Sequence, residues 1–74
     1  MICSVRVRPE NVILGHLHRD LKVEGARRMP SWRVILDEDE LVVQSSQYGS
    51  LTQLYKDVYD FVSEQGVVYA PYSA

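Results

Sequence analysis

Residues 50–66 constrain the fold more than any other stretch of this chain. Ser50-Leu51-Thr52-Gln53 fits the capping-box pattern, in which the serine hydroxyl accepts from the backbone N–H three residues on and the glutamine side chain returns the bond. Gly66 supplies a stop just past the last periodic residue. Between these signals Leu54, Tyr55, Val58, Phe61 and Val62 fall on one side of a helical wheel, while Gln53, Lys56, Asp57, Asp60 and Glu64 fall on the other. A helix with one apolar face must lie on something, and the rest of the chain reads mostly as strand.

From Cys3 to Arg8 apolar and polar residues alternate, which predicts a half-buried strand over Ile2–Arg8. Arg8-Pro9-Glu10-Asn11 suits a type I turn and predicts a reversal into a second strand beginning at Val12. Over Asn11–Glu24 the β-branched pair Val12 and Ile13, together with Gly15, disfavours a helix, and a helical reading smears the apolar residues around the circumference. That segment therefore reads as strand. Glu24–Pro30 carries Gly, Pro and two adjacent arginines without periodicity and reads as an exposed connection. Ser31–Asp37 alternates again, with Trp32, Val34 and Leu36 toward the core, and Leu41–Gln47 follows as its hairpin partner. The four acids at 37–40 form the tip and must face water. Val67–Tyr72 reads as a last short strand that Pro71 confines to an edge.

The expected architecture is α+β: one domain spanning residues 1–74, with a small antiparallel sheet of four to five strands in the order ββ-ββ-α-β and one amphipathic helix on one face. In outline this resembles the assortment of one-sheet, one-helix miniature proteins that includes small antitoxins and inhibitors of the kind phages and mobile elements encode. No motif singles out one of those families, and no residue is carried across from them.

The chain has 74 residues, 46% of them apolar. Such a length buries only about 60% of the unfolded surface, so the core is thin and a deep active site is disfavoured. Cys3 is the single cysteine and reads as a small buried hydrophobe. With no disulfide partner, no apolar leader and no stretch of membrane-spanning length, the expectation is a cytoplasmic protein that makes no membrane contact. The glycines stand too far apart for a phosphate-cradling loop. His16 and His18 would share one side of a strand, but a metal site needs a third ligand, and only Cys3 and Asp20 are near in sequence. An EF-hand loop beginning at Asp37 fails at Leu41, Val42 and Tyr48. No catalytic residue, metal or cofactor is expected, and the chain is not read as an enzyme.

Charge is what remains to argue from. Residues 1–36 hold seven basic and three acidic side chains, and residues 37–74 hold one and seven, which gives +4 and −6 for a net charge of −2. The primary expectation is a non-catalytic protein-binding module, an inhibitor or adaptor, whose Asp39, Asp57, Tyr59, Asp60 and Glu64 meet a partner with a basic surface. Tyr48 and Tyr72 read as further interface tyrosines, and Tyr55 and Tyr69 as cover for the core. The alternative is nucleic-acid binding through Arg6, Arg8, Arg19, Lys22, Arg27, Arg28 and Arg33, against which the pI of about 5.5 argues. Homodimerisation is a third expectation, through an edge strand or the sheet face opposite the helix.

Overall fold

A computed structural model describes residues 2–28 and 32–67. Its elements run β1 (Cys3–Val7), α1 (Leu14–Arg28), β2 (Arg33–Asp37), β3 (Glu40–Ser45) and α2 (Leu51–Glu64). The strands form one antiparallel sheet in the order β1-β3-β2, so β3, the last of the three in the chain, lies between the other two. Register follows from the alternation already visible in the chain. Val5 stands opposite Val43, which stands opposite Val34, and Val7 opposite Leu41, which stands opposite Leu36. All of these but the half-exposed Leu36 belong to a single core to which both helices contribute, through Leu17 and Leu21 of α1 and Leu54, Val58, Phe61 and Val62 of α2. The described part of the fold is therefore an α+β arrangement of three strands and two helices, with α1 lying on β2 and β3 and α2 on β1.

Two expectations need correction. The order among the described residues is β-α-β-β-α, not ββ-ββ-α-β, and the sheet has three strands there, not four to five. The expected strand at Val67–Tyr72 lies outside the described residues apart from Val67. The change comes from Asn11–Glu24, read as strand, and from Glu24–Pro30, read as connection: most of both belongs to α1. Of the residues that argued against a helix, Val12 and Ile13 lie just before it and Gly15 lies in its first turn, and the Ile13 carbonyl accepts from the N–H groups of His16 and Leu17. With those two removed from the wheel, Leu14, Leu17, Leu21 and Gly25 fall at the i, i+3, i+7, i+11 spacing of one buried stripe. Gly25, read as a loop marker, is there because Trp32 packs onto it: a Cβ at Gly25 would lie 2.5 Å from the Trp32 Cβ.

The other elements follow their signals closely. Ser50 caps α2 by accepting from the Gln53 N–H at 3.3 Å, although the Gln53 amide then donates forward to Asp57 instead of back. At the far end Gly66 takes φ +73°, its N–H bonds the Ser63 carbonyl and the Val67 N–H bonds the Val62 carbonyl, which is the Schellman closure. The β2–β3 tip turns through Glu38 and Asp39, with Glu38 in the left-handed region at φ 55°.

Candidate interaction surface

Three exterior surfaces are available, and the charge pairing of each decides what it offers. The first is the outer side of α2, where acids were expected to wait for a basic partner. Asp57 is instead used inside the protein. The Tyr48 hydroxyl donates to its Oδ2 at 2.7 Å, the Trp32 indole N–H donates to the same hydroxyl at 2.8 Å, and the Gln53 amide donates to Oδ1 at 3.2 Å. This chain of bonds ties α2 to the residue that packs on α1, and it buries Tyr48, which sequence reading placed at an interface. Tyr48→Phe leaves the Trp32 donor and the Asp57 acceptor without each other's bridge and is expected to cost about 1–3 kcal/mol in urea unfolding. A loss within error of zero would mean the bonds carry no stability.

Asp60 holds Lys56 at 2.8 Å. That hydrogen bond, and then the carboxylate's charge, hold the Lys56 proton more tightly than in an ordinary lysine. The folded-state pKa is raised, so whatever this exposed pair contributes is present at neutral pH and is lost only as pH rises through the lysine range. Tyr59 is half exposed and stacks at 5.9 Å on Tyr55, which packs against the core as expected. Glu64 on α2 and Asp39 at the hairpin tip stay exposed.

The second surface is the sheet face that no helix covers. Arg6 reaches across β3, donating to Glu40 at 2.7 Å and lying 3.5 Å from Asp37, while Arg8 lies 3.6 Å from Glu40. Register puts Arg6 opposite Val42 and Val42 opposite Ile35. Val42, on this face, is only 5% exposed. Two of the seven cations in the basic set are thus spent on two of the four acids in the tip. Arg33 sits farther along the same face, opposite Gln44.

The third surface is the outer side of α1. Arg19, Lys22 and Arg27 are exposed there, and among the described residues no carboxylate lies within ion-pair reach of any of them. Arg28 ends the same helix. The basic residues therefore do not make one patch: Arg6 and Arg8 are paired on the sheet face, where Arg33 also sits, while Arg19, Lys22 and Arg27 stand on the helix face. The histidines are split as well. A strand would have set His16 and His18 side by side; the helix turns them apart, with His16 exposed and the His18 Nε2–H donating to the Val34 carbonyl at 3.0 Å. Among the described residues no group of three metal-ligating side chains is assembled, and no helix is long and apolar enough to cross a membrane.

Where α1 begins and α2 ends, the two meet in an open groove of about 330 Å³ walled by Val12, Ile13, Leu17 and Val67, with His16 and Asp20 on its rim. Asn11 fixes this junction by donating to the Gly66 carbonyl at 3.1 Å. Sequence reading missed the groove because it placed Val12 and Ile13 in a strand. Comparison of the chain with family models, with curated proteins and with solved structures returns no match.

Proposed function

We propose that this protein is a non-catalytic binding module, of the inhibitor or adaptor kind, whose contact surface is the outer face of α1 and whose partner is an acidic protein surface. The observation that carries the reading is the charge left over once internal pairs are counted: Arg19, Lys22 and Arg27 have no carboxylate within ion-pair reach among the described residues, whereas Arg6, Arg8 and Asp60 are in ion pairs and Asp57 is held by the Tyr48 hydroxyl and the Gln53 amide. Uncompensated cations on one helix steer an acidic partner and raise the rate of encounter. Exposed Val23, set among them, favours a protein over a bare phosphate backbone.

The test is capture from the native cell with immobilised protein in nuclease-treated extract. The Arg19→Glu, Lys22→Glu, Arg27→Glu triple variant is expected to lose at least tenfold of the captured protein at low salt, while Asp39→Lys with Glu64→Lys retains it. The reverse pattern returns the contact to the acidic surface. Capture abolished by nuclease assigns the α1 face to nucleic acid.

A further inference from the structure

β2 is an outer strand of the sheet, and its open edge is complementary to itself. We propose that two copies of this chain pair through β2, antiparallel and centred on Ile35, so that their sheets join into one continuous sheet. The inference goes beyond the reading of α1 and does not depend on it: it concerns a second surface and names its occupant.

The hairpin turn decides which backbone groups of β2 face outward. Only Glu38 and Asp39 separate β2 from β3, so Asp37 and Glu40 close the ladder as a hydrogen-bonded pair. From there the pairs alternate: Ile35 and Arg33 turn their N–H and C=O groups toward β3, while Leu36 and Val34 turn theirs to the open edge. The bond at Val34 agrees, because its carbonyl accepts from His18 Nε2–H on α1 at 3.0 Å rather than from β3. A second lone pair on that oxygen stays available. Among the described residues no strand lies along this edge. With Val34, Ile35 and Leu36 in a row and no proline or lysine to blunt it, the edge is a template for another strand.

The side chains select a second copy as that strand. β2 reads Arg33-Val34-Ile35-Leu36-Asp37, with a cation and an anion equally spaced on either side of Ile35, and all three stand on the sheet face that no helix covers. Antiparallel pairing about Ile35 sets each Arg33 opposite Asp37 of the other copy, at the narrow positions where facing side chains come closest. Each Val34 then exchanges its N–H and C=O bonds with Leu36 of the other copy. A register shifted by two residues either way would set Asp37 or Arg33 against Ile35 instead. Both charges are open to such a contact. Arg33 has no carboxylate within ion-pair reach among the described residues, and Asp37 meets Arg6 at 3.5 Å with both side chains still half exposed. Leu36, 46% exposed in the single copy, is covered in the pair. The arrangement is closed by one two-fold axis and does not grow into filaments. A contact of one short strand on each side falls at the small end of specific interfaces, and a dissociation constant on the order of 10–100 µM is expected.

Sedimentation equilibrium across about 5–500 µM tests this, with circular dichroism confirming that each variant is folded. The apparent mass is expected to rise toward twice the 8.5 kDa of one chain as concentration increases, and to rise less in high salt. Arg33→Glu and Asp37→Arg each set like charges opposite one another, and each should weaken association by about tenfold or more. Mixing the two variants restores opposite charges at both contacts, so the mixture should associate while neither component does alone. Hydrogen exchange at the Leu36 amide should slow between the low and high ends of the concentration range, because pairing gives that N–H an acceptor. A chain that stays monomeric throughout overturns the proposal. So does a dimer that is indifferent to both charge variants, is not rescued by mixing them, or leaves the Leu36 amide exchanging as it does in the single copy.

Discussion

Leu21→Ala is expected to destabilise the protein by about 2–5 kcal/mol, and Val23→Ala by less than about 0.5 kcal/mol. Leu21 is fully buried between α1 and the sheet, whereas Val23 is 56% exposed, so only the first leaves a cavity. The pair is informative because the two positions are two apart. In a strand they would share a face and respond alike; on a helix they lie on opposite sides. Since a domain of this size holds only a few kcal/mol in total, the Leu21 variant should unfold at a much lower urea concentration with little change in slope. Equal effects at the two sites would remove α1.

The second large effect reverses a general rule. Glycine inside a helix is usually worse than alanine by about 1 kcal/mol, so Gly15→Ala, whose new methyl meets only open space, should raise the melting temperature by a few degrees. Gly25→Ala should lower it. The added Cβ would fall 2.5 Å from the Trp32 Cβ and 2.9 Å from its Cγ, atoms close to the backbone that cannot swing aside. Overpacking of this kind costs about 1–3 kcal/mol, more than the gain in propensity. Pushing Trp32 away also strains its bond to Tyr48, so tryptophan emission should shift to the red in the folded variant. A rise in melting temperature for both glycines would show that Trp32 does not sit on the helix.

The hairpin and α2 were legible because their signals are local: alternation over five or six residues, a serine cap, a glycine stop. α1 was not, since its buried stripe is only four positions wide and the flanking Val12, Ile13 and Val23 blur it. Whether Gly25 breaks a helix or lets a tryptophan approach depends on a residue beyond the helix itself. The candidate surface was legible as a list of charges but not as a pattern of pairing. Nothing near Arg6 in the chain announces Glu40, and nothing near Asp57 announces Tyr48 and Trp32; those partners meet only through strand register and helix docking. The acids and bases that stay unmatched are identified only after those meetings have been counted.

Placing β3 between β1 and β2 has a consequence for assembly on the ribosome. The β2–β3 hairpin can close on itself as soon as it is made, but β1, synthesised first, has its only neighbour in the described sheet roughly forty residues downstream. Until β3 emerges, Val5 and Val7 have no ladder to join. β1 is then the last of the described strands to be paired, and slowing synthesis between β1 and β3 would prolong the interval in which those valines remain open to other chains.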